Sequence, residues 1–196
     1  MDWKTIKEQG YMEIDGTRYD LSHLQDAWYD FVIEASGRYA ELKGTLLVQY
    51  SSHCVSWGPK RGERIDFNIQ GEQRRIIDDK GVHRCFCNRR YQLSAHLPHI
   101  FETFADRWCL FTGYENWLTI EVLGPAGEPQ EYEVYFRVTK QSRSLLRIYV
   151  ESAYVRDKGY GDQKHTKHRR DKVRAKVLLA KKLRGEPVRR PSRGRK

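Results

Sequence analysis

The chain lacks any apolar run approaching the about 20 residues needed to cross a bilayer. Its opening stretch, MDWKTIKEQG, lacks the apolar segment of a secretory signal. Cysteine is sparse: Cys54, Cys85, Cys87 and Cys109 are the four present, with no CxxC pair. That excludes a dense disulfide framework and a zinc knuckle. A soluble, reduced, cytoplasmic protein without membrane contact is expected, with no cofactor. Acid is scarce toward the C-terminus, where residues 158–196 hold sixteen Lys/Arg against Asp162, Asp171 and Glu186.

The charge is therefore distributed unevenly. The whole chain is +10, so residues 1–157 are slightly acidic and the remainder strongly basic. A polycation of this density binds polyanions through counterion release, and RNA and DNA are the usual ones. Five basic residues fall among the last eight. Nucleic-acid or ribosome contact is the leading reading. A merely solubilising tail is the competing one, and an acidic protein partner is a third.

Two helices are expected in the body. Ser22 followed by Gln25 forms a capping-box pattern, and Leu21, Leu24, Trp28, Phe31, Val32 and Ala35 form an apolar stripe over 21–35. Leu97, Ile100, Phe101 and Phe104 form another over 93–104, with Pro98 in or near the first turn. Strands are expected over 44–58 and 82–91, with a short one through Ile65, Phe67 and Ile69. Four more follow over 107–113, 116–124, 131–140 and 144–154, joined by short connections that favour antiparallel pairing. The fold class is α+β: a mostly antiparallel curved sheet, two helices packed on one face, and a basic C-terminal tail. The body is assigned to residues 1–157 and the tail to 158–196, with a marginal helix over 165–186 and disorder over 187–196.

The last two strands divide by face. Val134, Phe136, Val138, Leu146, Ile148 and Val150 point one way; Glu133, Tyr135, Arg137, Arg147, Tyr149 and Glu151 point the other. Arginine and tyrosine on adjacent strands suit phosphate clamping and base stacking. A solvated face with charges paired across strands is the alternative. Nucleic-acid contacts are assigned to Arg137, Tyr135, Tyr149, Lys140, Arg89, Arg90, Arg169, Arg170, Lys181 and Lys182.

The order of a helix followed by four strands, ending in RIYVESAYVRD, resembles the barnase–EndoU–colicin–RelE superfamily of small ribonucleases and toxins over residues ~84–157. Ser152, Ala153 and Tyr154 match a Thr/Ser-Ala-Tyr segment of those folds, and His96 matches a recurrent helix-start histidine. The segments SSHCVSWG and RCFCNRRYQLS also resemble poorly characterised growth-adaptation or heat-shock proteins of bacterial mobile elements. The ribonuclease resemblance implies metal-independent RNA cleavage by 2′-OH attack, with His96, Arg147, Ser152 and Tyr154 as catalytic residues and an antitoxin as a partner. The alternative is a non-catalytic nucleic-acid- or ribosome-binding accessory protein.

Parity raises an objection. Ser152 and Tyr154 follow the apolar parity of Val150, so they share the arginine face only if the strand bulges or ends at Glu151. His96 lies on a helix expected to cover the apolar face.

His83, Cys85 and Cys87 would share one side of a strand, but side chains two apart start about 7 Å from each other. Zinc draws its ligands to within ~2.3 Å, so no metal site is assigned. His53-Cys54 and Cys109 lie elsewhere, and no triad order marks Cys54 or Cys87 as a nucleophile.

Overall fold

The computed structural model describes residues 1–37, 39–60, 62–113, 116–123, 130–155 and 172–188. Helix α1 (Trp3–Gln9) is capped by Asp2, whose carboxylate accepts from the Thr5 N–H at 2.9 Å. A hairpin follows, β1 (Tyr11–Ile14) with β2 (Thr17–Asp20). Then come β3 (Ala27–Ile33), β4 (Leu42–Tyr50) and the short β5 (Ser56–Trp57). Helix α2 (Phe67–Gln70), β6 (Arg75–Ile77), β7 (His83–Phe86), α3 (Asn88–Ser94) and α4 (Leu97–Glu102) form the middle of the chain. The long strands are β8 (Trp108–Gly113), β9 (Asn116–Leu123), β10 (Gln130–Lys140) and β11 (Leu145–Val155). Strand β12 (Lys172–Arg174) and helix α5 (Ala175–Arg184) close the described chain.

The fold is α+β. Seven strands form the main sheet in the order β12-β8-β9-β10-β11-β4-β3. Every neighbouring pair is antiparallel except β11 with β4, which run parallel. A second, three-stranded sheet has the order β5-β7-β6. One face of the main sheet is apolar. Leu46, Val48, Tyr50, Val134, Phe136, Val138, Leu146, Ile148 and Val150 join one core with Trp3 and Ile6 of α1, Leu97, Ile100 and Phe101 of α4, and Leu178, Leu179 and Leu183 of α5. Aromatic edges lock the layers together: Phe104 and Phe101 meet Phe136 edge-on at 5.3 and 6.2 Å.

The stretch expected as a helix over 21–35 is a short 3₁₀ turn, Ser22–Leu24, followed by β3. Its apolar residues fit both periods. Tyr29, Phe31 and Ile33 alternate inward, while Trp28, Asp30 and Val32 alternate outward. The aromatic and β-branched content, together with pairing against β4, decides for the strand. Gly44 makes room for this pairing, because a Cβ there would lie 2.7 Å from the Phe31 ring. The strand expected through 65–69 is instead α2, capped by Asp66. The helix expected over 93–104 is two helices, with α3 beginning at Asn88 where a strand was expected.

The largest correction concerns the C-terminal part. The helix expected to be marginal is α5, and Ala175, Leu178, Leu179, Ala180 and Leu183 are buried. It ends on Gly185, whose φ of 74° lies in the left-handed region that glycine adopts without a Cβ penalty. Strand β12 extends the sheet beyond β8. Residues 172–184 therefore belong to the same core as the rest, and a boundary at 157 does not follow the packing. The expected disorder from residue 189 onward lies outside the described residues.

Candidate functional site

Strands β10 and β11 build one wall of the site. Their register shifts between Tyr135 and Phe136, which face Ser152 and Val150 respectively. Glu151 is thus one extra residue, a β-bulge. Before it, Leu146, Ile148 and Val150 face the core; after it, Ala153 does. The bulge turns Ser152 and Tyr154 to the polar face, beside Tyr135. The Tyr135 and Tyr154 rings stack at 5.7 Å with 16° between planes. Arg137 Nε pairs with Glu151 at 2.6 Å.

A second wall comes from the end of β4. There Ser51 caps a 3₁₀ turn, Ser52–Cys54, by accepting from the His53 N–H at 3.2 Å. The Ser51 hydroxyl donates to the Glu151 carbonyl at 2.7 Å, which ties the turn to the bulge. The third wall is the β6–β7 loop. Asp78 Oδ1 accepts from the backbone N–H groups of Lys80 and Val82, both at 2.9 Å. Its Oδ2 lies 3.4 Å from His53 Nε2. Next to it, the Tyr149 hydroxyl donates to Asp79 at 3.0 Å. The three walls enclose a cavity of about 380 Å³ on the polar face, at the carboxyl end of the parallel pair β4–β11.

The electrostatics follow from burial and from two guanidinium groups behind the turn. Arg84 is buried and donates to Ser56 Oγ at 2.9 Å; burial lowers its pKa to about 10. Arg90 donates to the carbonyls of His53 and Ser56 at 2.9 and 2.8 Å. Burial, then the charge of Arg84, holds His53 below the usual imidazole value, so it is neutral at neutral pH. Burial works to raise Asp78, but the N–H groups of Val82 and Lys80 outweigh it and keep the carboxyl below its usual range. Burial and the bond to Asp79 raise Tyr149. Burial pushes the Cys54 thiol up to about 12, which leaves it inert as a nucleophile at neutral pH. A neutral histidine hydrogen-bonded to a fixed carboxylate can accept a proton from a bound hydroxyl.

Of the residues singled out from sequence, Tyr135, Arg137, Tyr149, Ser152 and Tyr154 line this cavity. Arg147 lies on the same face outside it, with its guanidinium 5.5 Å from the Tyr149 ring centre. His96 is not there. It is exposed and immediately precedes α4, whose Leu97, Ile100 and Phe101 enter the core on the apolar side. A catalytic set containing His96 therefore does not assemble. Arg90 anchors the turn, and its guanidinium lies 5.1 Å from the Tyr154 ring centre. Arg89 is exposed on α3. Lys140 donates to the Leu183 carbonyl and so caps α5. Lys181 and Lys182 are half-buried on α5. Arg169 and Arg170 lie outside the described residues. Ser51, Ser52, His53, Asp78, Asp79 and Lys80 were not expected in a site; a Ser-Ser-His run after a strand and an Asp-Asp-Lys-Gly turn were the available signals.

His83, Cys85 and Cys87 do not converge. His83 is exposed against Phe67, Cys85 is buried, and Cys87 precedes α3. Among the described residues no group of three or more His, Cys, Asp or Glu is placed to hold a metal ion.

A family model, that of the YjaZ family, matches residues 11–183. The chain belongs to the YjaZ family. The protein YjaZ of Escherichia coli (strain K12) is 28% identical over 144 residues, covering 71% of this chain and 75% of that protein. No solved structure matches. The YjaZ match overturns the resemblance to barnase–EndoU–colicin–RelE ribonucleases. It spans nearly the whole chain, whereas that resemblance rested on element order and one Ser-Ala-Tyr segment. The YjaZ-family span contains every residue of the cavity wall, from Ser51 to Tyr154, as well as α5 nearly to its end. No helix among the described residues is long and apolar enough to cross a membrane.

Proposed function

We propose that this protein binds RNA, with the cavity on the polar sheet face taking a nucleotide and the basic C-terminal stretch supplying general affinity. The observation that carries this reading is the bulge at Glu151, which gathers Tyr135, Tyr154, Tyr149, Arg137 and Ser152 around one concavity. Aromatic rings accept bases by stacking, and hydroxyls and a guanidinium hold phosphate or sugar. The cavity wall itself is near charge balance, with Asp78, Asp79 and Glu151 facing Lys80 and Arg137. Attraction for a polyanion thus comes from residues 158–196, and selection comes from the cavity. RNA as ligand goes with a cytoplasmic location, and the ribosome is its largest RNA surface there. A nucleic-acid- or ribosome-binding accessory role needs nothing more.

The His53–Asp78 pair favours a second reading, metal-independent RNA cleavage. With Nε2–H turned to Asp78, the imidazole lone pair resides on Nδ1 and can take the proton of a ribose 2′-OH. The 2′ oxygen then bonds to phosphorus, the P–O5′ bond breaks, and the leaving 5′ oxygen takes a proton from solvent. A 2′,3′-cyclic phosphate and a 5′-hydroxyl result. A cleaving enzyme of this kind would need a partner to hold it in check, an antitoxin.

The test is incubation of purified protein with labelled total RNA, with and without EDTA. Retention on a filter at physiological salt is expected, and its absence would end the RNA reading. Cleavage products carrying a cyclic phosphate, formed in EDTA and lost about 10²–10⁴-fold in His53→Ala, would establish the second reading. Binding without products would leave the accessory role.

A further inference from the structure

The polar face continues beyond the cavity. Trp28 of β3 faces Leu47 of β4, Leu47 faces Arg147 of β11, and Arg147 faces Thr139 of β10. Paired residues share a face, so these four form one row across the sheet. The parallel row beside it contains Gln49, Tyr149 and Arg137, and therefore the cavity wall. Two positions along a strand separate the rows, about 7 Å.

Two members of the outer row are unusual. Trp28 is 60% exposed, although its neighbours Tyr29 and Phe31 pack inward against the core. Arg147 is half-buried, its Nε is shielded from solvent, and it has no hydrogen-bond partner there. Two other cations on this face are matched: Arg137 pairs with Glu151, and Lys43 with Glu41 at 3.1 Å. Among the described residues, Arg147 has only the Tyr149 ring as a neighbour of this kind. The shielded Nε–H is a donor that no described protein group satisfies. An external anion would accept it.

Resting on the RNA reading, we infer that the row Trp28–Leu47–Arg147 is a second subsite for single-stranded RNA. It holds the nucleotide that flanks the one in the cavity: Arg147 takes the phosphate between them, and the Trp28 indole stacks the flanking base. Charge complementarity selects the occupant. A row with an unmatched cation beside an exposed indole suits phosphate and base together, whereas a purely apolar partner would bury the guanidinium without an anion. The ligand must be single-stranded, because a base within a duplex cannot leave its stack to lie on an indole. Continuity with the cavity comes through Tyr149, which touches both places.

The experiment compares a labelled mononucleotide, which fills the cavity alone, with a labelled hexaribonucleotide, using the full chain and fluorescence anisotropy. Trp28→Ala should weaken the hexamer about 10-fold or more, the loss of one stacked base, and leave the mononucleotide unchanged. Arg147→Gln should lower the salt slope of hexamer binding by about 0.7, the loss of one phosphate contact. Hexamer-dependent quenching of tryptophan emission should vanish in Trp28→Phe while most affinity remains. Both side chains lie outside the core cluster, so unchanged thermal midpoints are expected and are checked first. Equal hexamer binding by wild type and both variants would overturn the subsite and leave the RNA reading standing. If wild type binds neither ligand, the RNA reading itself fails. A wild-type dimer that Trp28→Ala converts to monomer, with RNA affinity unchanged, would make the row a self-association face and overturn the inference.

Discussion

Helix α5 is expected to be indispensable to the fold, despite being carried on the most basic part of the sequence. Leu178 and Leu179 are 0% exposed and Leu183 is 5% exposed, all within the single core. Burying one leucine side chain contributes about 1.5–3 kcal/mol. Three of them rival the ~5–15 kcal/mol that a whole domain has in hand. Truncation after residue 171 should therefore abolish cooperative unfolding, because it also strips β12 from β8 and uncovers the part of β10 and β11 on which α5 packs. The finer test is a pair of point variants on the same helix. Leu179→Ala should cost about 2–5 kcal/mol, which lowers the midpoint of a protein this size by about 5–20 °C. Val177 is 40% exposed, and Val177→Ala should change stability by less than about 0.5 kcal/mol. Urea titration followed by circular dichroism measures both, with equal m-values required for the comparison. If the truncated chain melted like the full one, or Leu179→Ala and Val177→Ala behaved alike, α5 would be an appendage after all.

Other outcomes follow from the site. A Cβ at Gly58 would lie 2.5 Å from Arg84 Nη1, so Gly58→Ala should displace the buried guanidinium, loosen the Ser52–Cys54 turn and cost about 1–3 kcal/mol, read from the denaturation midpoint. His53 and His23 both have folded-state pKa values held below 6.5, chiefly by burial. Their contribution is complete above that value and is lost as pH falls from 6.5 through the folded pKa, because the unfolded chain then binds more protons. Replacing both by Gln should flatten the decline in urea midpoint over that window, and an unchanged slope would refute it. Deleting Glu151 should erase the bulge yet keep Ser152 and Tyr154 on the polar face, because Val150 and Ser152 then alternate with no extra residue between them; retained ligand binding is expected, and its loss would show that the bend of the bulge itself shapes the cavity.

Much of the sheet was legible because its residues obey one simple rule. In β10 and β11 polar and apolar residues alternate over long runs, and Gly or Ser-rich turns separate the strands. The stretch through Trp28 and Phe31 was ambiguous, since its apolar residues recur at two, three and four positions. The pairing with β4, the next strand, decides between strand and helix. The face of Ser152 and Tyr154 turned on one inserted residue, which alternation can flag as a condition but cannot decide. The His53–Asp78 pair had no local signature. The two residues lie in different loops, and the small sheet β5-β7-β6 brings them together. α5 was misjudged because lysines and arginines mask a short inward stripe of Ala175, Leu178, Leu179 and Leu183.

The parallel pairing of β4 with β11 sets an order of events during synthesis. Strand β4 finds β3 at once, but its other edge is filled by residues about 100 positions later, as the Ser51–Glu151 contact measures. Until β11 leaves the ribosome, β4 presents an open edge with Leu46 and Val48 uncovered, and α5 arrives later still. Contacts this distant are slow to form and leave sticky intermediates meanwhile. The central sheet therefore closes only once residues 145–155 have emerged, and until then the free edge of β4 is open to strands of other chains.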